Sequence, residues 1–211
     1  IRLRRRFYTK VSAPLLNCRV SWLDQDRLSL GQSAERCGMA IPETLYQYLS
    51  QNGVSYDVIP HQKTNCSRMN ALATNVPEAS VAKAVVIKRR KGFVLAVVPA
   101  SRKVALRSLG ALFAHPVCLA TEQELHGLFM DCELGAVPPV GQAYGIRTVV
   151  DRQLLDQDDI YFEGGDHRSV VHLKGGSFRR LMDQVPHRAI SREPRSDSAQ
   201  GDHGDVCYWG A

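Results

Sequence analysis

Two parts of the chain carry residues whose types could do chemistry: the loop of residues 135–141 and Lys83. In this Gly/Pro loop, Pro138 and Pro139 have a fixed φ and no N–H, while the flanking glycines can adopt φ values closed to other residues. The loop should therefore be stiff and sharply bent. Such a loop can present backbone carbonyls to an ammonium group or a ribose hydroxyl. The alternative is an ordinary tight turn between two elements.

Lys83 lies near the start of an apolar, β-branched stretch, residues 81–88, which predicts a buried strand. A lysine in this position either extends its ammonium group to solvent or holds it in a pocket for an anion. The surrounding residues 83–107 carry no acidic side chain but contain Lys83, Lys88, Arg89, Arg90, Lys91, Arg102, Lys103 and Arg107. This local positive surface suits a polyanion bound through phosphates, or is a solvated strand edge protected by lysines.

Composition indicates a globular protein without a membrane span. The 211 residues are 44% hydrophobic, enough for one domain of ordinary size with tails. The longest apolar runs fall far short of the roughly 20 residues that cross a bilayer. The six cysteines form neither a C-x-x-C pair nor the spacing of a zinc site. This favours a reduced, cytoplasmic protein without a structural metal. Cys118 is expected to be a small buried side chain.

The organisation predicted from composition is a basic leader at 1–38, a folded domain at 39–186 and a polar, disordered tail at 187–211. Met39 looks like a natural start. Periodicity within the domain predicts helices at 42–52, from Ser67, from Leu106 to Leu112, from Thr121 to Phe129 and from Ser177, and strands at 54–60, 81–88, 93–98, 103–106, 117–119, 148–150, 160–162 and 170–173. Thr121 opens a Thr-Glu-Gln-Glu sequence with the spacing of a capping box.

The order of these motifs resembles the YbaK and prolyl-tRNA synthetase-associated editing domain family over about residues 40–184. The resemblance rests on Lys83 in the stretch A-K-A-V-V-I-K, the hairpin into F-V-L-A-V-V-P-A, the helix T-E-Q-E-L, and D-C-E-L-G-A-V-P-P-V-G. It implies an α+β fold, with a mixed, largely antiparallel, curved or barrel-like sheet surrounded by helices. Some subfamilies carry a polar residue directly after the lysine, where this chain has Ala84.

In the family a lysine and a G-x-x-x-P loop line the pocket. The resemblance therefore implies that Lys83, Gly135 and Pro139 are catalytic, and that the substrate is bound by Ala136, Val137, Pro138, Gly141, Asp166, His167 and His61. Thr64 lies at the same predicted pocket edge as His61. For Asp166 and His167 the alternative is an ordinary Gly-Asp hairpin turn.

Family members with known activity are aminoacyl-tRNA deacylases. The resemblance implies hydrolysis of the ester of mischarged tRNA without a cofactor, with the tRNA 3′ aminoacyl end and an aminoacyl-tRNA synthetase as partners. An activated ester needs positioning and charge stabilisation rather than a Ser-His-Asp triad, and the chain has no G-x-S-x-G motif. One alternative is a non-catalytic module that uses the same pocket. A general RNA-binding protein is disfavoured because an RNP-like aromatic motif is missing.

Overall fold

The computed structural model describes residues 41–64 and 66–194. Its helices are α1 (Glu43–Gln51), α2 (Ser67–Ala73), α3 (Leu106–Phe113), α4 (Glu122–His126) and α5 (Gly175–Leu181). Its strands are β1 (Asp57–Pro60), β2 (Val81–Lys88), β3 (Phe93–Pro99), β4 (Lys103–Val104), β5 (Cys118–Leu119), β6 (Arg147–Asp151), β7 (Asp159–Glu163), β8 (Ser169–Lys174), β9 (His187–Arg188) and β10 (Ser191–Arg192). The predicted leader, residues 1–38, lies outside the described residues.

The strands form one large mixed sheet and a small ribbon. The sheet has the order β1-β8-β7-β2-β3-β6-β9, with β5 beside β2, and the ribbon pairs β4 with β10. Strand β2 is antiparallel to β3 and parallel to β7, and β6 is parallel to both β3 and β9. A mixed sheet flanked by helices confirms the predicted α+β class.

Alternation along β2 separates two packed faces of the sheet. Ala82, Ala84 and Val86 face the main core, where they meet residues of α1, α4 and α5. The intervening side chains point to the opposite face, where Ile87 packs in a cluster with Leu109 of α3. Because side chains alternate along a strand, Lys83 also lies on this opposite face.

Local signals account for most of the element boundaries. Leu45 and Leu49, one helical turn apart, are the buried residues of α1. The predicted capping box is confirmed, because the Thr121 hydroxyl accepts from the Glu124 N–H and the Glu124 carboxylate accepts from the Thr121 N–H. Gly92 has φ +79° in the turn of the β2–β3 hairpin. The helix from Thr121, however, ends at His126, before the predicted end at Phe129.

Two expectations about cysteines are wrong. Cys118 is exposed, because β5 is a short strand at the margin of the sheet rather than a core strand. Cys66 is disulfide-bonded, whereas the sequence favours reduced cysteines throughout. Cys118 and Cys132 are free thiols.

The predicted disorder of the tail is wrong for residues 187–192, which belong to the fold. Strand β9 pairs with β6, and β10 pairs with β4. Between them Ile190 is buried, its N–H donates to the Asp151 carboxylate at 3.0 Å, and its carbonyl accepts from Ala105 N–H at 2.7 Å. The polar composition of residues 187–192 does not predict this order, because the segment is held by a single apolar residue, Ile190, and by the Asp151 carboxylate, which is distant in sequence. Residues 195–211 lie outside the described part of the chain.

Substitution of Asp151 by alanine should lower the free energy of unfolding by about 2–3 kcal/mol, since a buried carboxylate that accepts from the Ile190 and Gln153 N–H groups is lost. Chemical denaturation measures the change. Asp156→Ala is the matched control, because Asp156 is exposed and its loss should cost under about 0.5 kcal/mol. Equal effects in the two variants would contradict a structural role for the segment after β9.

Candidate functional site

Strand register brings Lys83 to the carboxyl end of β7. Ala82 pairs with Phe162 in the parallel β2–β7 ladder, so the next residues, Lys83 and Glu163, leave the ladder side by side. Ala82 and Phe162 both face the main core, and alternation therefore places the Lys83 and Glu163 side chains on the opposite face. Lys83 is half-buried, and its Nζ lies 3.5 Å from the carbonyl oxygen of Ala100.

Glu163 is the centre of a buried polar network. Its Oε2 accepts from Asn70 Nδ2 of α2 at 2.8 Å, while its Oε1 accepts from the N–H groups of Gly165 at 3.3 Å and His167 at 3.0 Å. The Thr64 hydroxyl in turn donates to Asn70 Oδ1. These bonds compensate the burial of the carboxylate and hold the β7–β8 turn in one conformation.

His167 joins this network to the Gly/Pro loop. Its Nε2 donates to the carbonyl oxygen of Leu134 at 2.9 Å, directly before Gly135. Its Nδ1 is buried, lies 3.8 Å from Glu163 Oε2, and has no hydrogen-bond partner among the described residues. The backbone of His167 has φ +58°, which is uncommon for a residue other than glycine. Strained residues and unpartnered buried polar atoms occur preferentially at functional sites.

The Gly/Pro loop is a bent segment packed into the protein. Gly135 has φ +88°, and residues 136–141 are buried. Within the described parts of the chain, no hydrogen bond reaches the carbonyl oxygens of residues 135–139. The loop thus combines a sharply bent backbone with carbonyl oxygens that accept no hydrogen bond within the described residues.

A cavity of about 150 Å³ lies against this loop. It is lined by Leu125, His126, Phe129, Met130, Cys132, Glu133, Leu134, Gly135 and Val137. Burial raises the pKa of the Cys132 thiol to about 12, so this thiol stays protonated and unreactive near neutral pH. Burial, and then the contact with Cys132, also raises the pKa of Tyr144, whose hydroxyl is 3.3 Å from the Cys132 sulfur.

The other predicted residues occupy defined places around these features. Asp166 stabilises the turn, because its carboxylate accepts from the N–H groups of Arg168 and Ser169 and from the Ser169 hydroxyl. His61 is joined to the same turn through its N–H, which donates to the Arg168 carbonyl, and its buried Nε2 has no hydrogen-bond partner among the described residues. A β-carbon on Gly141 would lie 2.4 Å from Thr148 Oγ1, so this glycine permits close packing on β6.

Sequence reasoning missed Glu163 and Asn70. A carboxylate at the end of the apolar stretch 160–162, directly before two glycines, was an available signal for Glu163. Asn70, inside a short helix where asparagine is unfavourable, was a weaker one. Neither signal identifies the hydrogen-bond partner, because the two residues are 93 positions apart in the sequence.

The fold and these motifs place the chain in a known class. A family model described as the aminoacyl-tRNA editing domain matches residues 63–181, more than half of the chain. The chain therefore belongs to the aminoacyl-tRNA editing domain family, which confirms the resemblance noted from the motifs. No curated protein matches the chain.

Solved structures share the fold at low sequence identity. A candidate trans-editing enzyme for prolyl-tRNA synthetase is similar at 23% identity and a TM-score of 0.62, over 78% of this chain and 99% of that one. A protein from a study of epitope grafting onto scaffolds is similar at 20% identity and a TM-score of 0.64, over 72% and 97%. A candidate signal transduction protein from Marinobacter aquaeolei VT8 is similar at 15% identity and a TM-score of 0.58, over 72% and 31%.

The described residues, 41–64 and 66–194, lack two kinds of feature. They hold no helix long and apolar enough to span a bilayer. They also hold no group of three or more His, Cys, Asp or Glu side chains arranged to bind a metal ion.

Proposed function

We propose that the protein is a trans-acting aminoacyl-tRNA deacylase, which hydrolyses the ester bond of mischarged tRNA. Membership of the editing domain family supports the substrate class. The observation that carries the proposal is the buried connection from Glu163 through His167 to the Gly/Pro loop, at the end of the sheet where Lys83 also lies. A cation, a buried acceptor nitrogen and carbonyl oxygens that accept no hydrogen bond within the described residues are the groups that the proposed reaction uses.

Each group has a distinct role in the proposed reaction. The carbonyl oxygens of residues 135–139 accept from the substrate α-ammonium group or from the terminal ribose hydroxyls. Lys83 binds a phosphate of the terminal nucleotide or the oxyanion that develops when water attacks the ester. His167 Nδ1 accepts a hydrogen bond from the attacking water, because Nε2 carries the proton that is donated to Leu134.

Positioning accounts for the catalysis in this scheme. An aminoacyl ester is already activated, so holding it and a water in reacting geometry lowers most of the barrier. Glu163 does not contact the substrate. It positions His167 through the backbone N–H and keeps the turn closed.

A deacylation screen tests the proposal. Purified protein is incubated with tRNAs mischarged with alanine, serine or cysteine, and release of the amino acid is followed against the same tRNAs without protein and with the Lys83→Ala variant. We expect hydrolysis of at least one substrate by the unaltered protein. Tight binding of every substrate without hydrolysis would instead identify a non-catalytic binding module.

Substitution of Gly135 by alanine should reduce kcat/KM more than its effect on stability explains. The positive φ of Gly135 alone costs alanine about 1–2 kcal/mol of unfolding free energy, and the added methyl group also meets the substrate. Both quantities are measured on the same variant.

Gly92→Ala is the matched control for this prediction, because Gly92 has φ +79° and a β-carbon there meets nothing within 4 Å. It should lose similar stability and keep full turnover. If Gly135→Ala loses stability but keeps turnover at a temperature where it is folded, the loop is a structural turn only.

A further inference from the structure

A basic surface begins next to Lys83 and extends over the β4–β10 ribbon. Because β3 is antiparallel to β2, the chain leaves β3 at the Lys83 end of the sheet, where the Ala100 carbonyl contacts Lys83 Nζ. Arg102 and Lys103 follow directly. We call the basic ribbon the set of side chains Arg102, Lys103, Arg107, Arg188 and Arg192.

The tertiary fold brings these five cations together from two distant segments. Arg102 Nε donates to Ser191 Oγ at 2.9 Å, and Ala105 N–H donates to the Ile190 carbonyl at 2.7 Å, so the segments around β4 and β10 are in contact. Arg107 follows on the first turn of α3, and Arg188 precedes Ile190 by two residues.

Positive charge is concentrated on this surface. Lys103 and Arg192 are register partners, so their side chains lie on the same side of the ribbon. Glu193 pairs with Arg102 at 3.4 Å but is 83% exposed, which makes this ion pair weak. Arg188 and Arg192 donate hydrogen bonds to backbone carbonyls. Because a carbonyl carries no net charge, these bonds do not neutralise the two guanidinium groups.

We propose that the basic ribbon binds phosphates of the RNA acceptor stem whose 3′ aminoacyl end reaches Lys83. The choice of RNA rests on the proposed function, whereas the charge and position of the surface are independent of it. Exposed arginines suit phosphate oxygens, because the planar guanidinium group presents several N–H donors to them. The ribbon therefore positions the RNA, while the site at Lys83 acts on the ester.

Binding of an uncharged RNA hairpin, with an acceptor stem and a 3′ CCA end, tests the proposal without any hydrolysis. Fluorescence anisotropy at several salt concentrations gives the dissociation constant and its salt dependence. The variant carries Arg107→Gln and Arg192→Gln, both at exposed positions. We expect binding about 10-fold weaker at low salt and a log–log salt slope shallower by about 1.8, since each duplex phosphate contact contributes about 0.9.

The matched control carries Arg90→Gln and Lys91→Gln, which remove the same charge from the exposed tip of the β2–β3 hairpin. This tip lies beyond Lys88, where β2 ends, and Lys88 is five residues from Lys83, about 16 Å at 3.3 Å per residue. The control should keep both the affinity and the slope. Equal losses in the two variants, or no loss in the ribbon variant, would overturn the proposal; thermal unfolding of each variant confirms that it is folded.

Two outcomes separate this inference from the proposed function. If the ribbon variant alone loses RNA affinity but the unaltered protein releases no amino acid, the ribbon is the RNA surface and the deacylase proposal fails. If the protein deacylates tRNA and the ribbon variant keeps the unaltered RNA affinity and KM, the deacylase proposal stands and the ribbon proposal is wrong.

Discussion

The Lys83→Ala variant is expected to lose about 10²–10³-fold in kcat/KM for deacylation, while its free energy of unfolding changes by no more than about 1 kcal/mol. Removing one group that stabilises charge in a transition state typically has this kinetic effect. A half-buried lysine at the end of a ladder contributes little to stability in comparison. Steady-state kinetics and chemical denaturation on the same preparation measure the two quantities.

The division of the effect between kcat and KM identifies what Lys83 binds. A fall in kcat at constant KM indicates the developing oxyanion, whereas a rise in KM at constant kcat indicates a phosphate of the bound substrate. Lys88→Ala is the control, since Lys88 lies at the other end of the same strand and pairs with Glu124 on the exposed surface. Full activity of Lys83→Ala would remove this residue from the mechanism.

Substitution of Glu163 by alanine is expected to lower the free energy of unfolding by about 3 kcal/mol and to abolish most of the activity. The variant leaves the Asn70 amide and the N–H groups of Gly165 and His167 without their acceptor. Buried donors left unsatisfied are costly, and the strained backbone of His167 loses a bond that holds it. Denaturation and single-turnover hydrolysis at a temperature where the variant is folded measure both effects.

A milder substitution at the same position separates packing from hydrogen bonding. Glu163→Gln retains an oxygen for the two N–H groups, and Asn70 can rotate its amide to accept from the new side chain, so most of the stability should return. Glu133→Ala is the local control, because Glu133 forms an exposed ion pair with Lys63 and its loss should cost under about 1 kcal/mol. A stable Glu163→Ala variant would show that the network does not hold the turn.

Features with a local cause could be predicted from the sequence. The capping box at Thr121 and the turn at Gly92 each depend on a few consecutive residues, and both are confirmed. The strands β2 and β3 follow from apolar stretches with β-branched residues. The assignment of Lys83 and the Gly/Pro loop to one site came from the family resemblance, and their catalytic roles stay predictions.

Features that need a distant partner could not be predicted. Residues 187–192 look like a polar tail, yet β9 and β10 are held by β6, β4 and the Asp151 carboxylate. The acceptor for Asn70 is 93 residues away in sequence, so the local signals at Asn70 and Glu163 do not identify the bond between them. Composition reports the average environment of a segment, whereas a single buried residue such as Ile190 can fix its position.

The pairing of β1 with β8 has a consequence for synthesis of the chain on the ribosome. Asp57 of β1 is aligned with His172 of β8, 115 residues later. At roughly 5–20 residues per second, β1 waits about 6–23 s for its partner to be translated. Throughout that interval its backbone N–H and C=O groups are open to other nascent chains, as on any unpaired strand edge. Slower translation across the second half of the gene should therefore increase aggregation of the newly made protein more than slower translation across the first half.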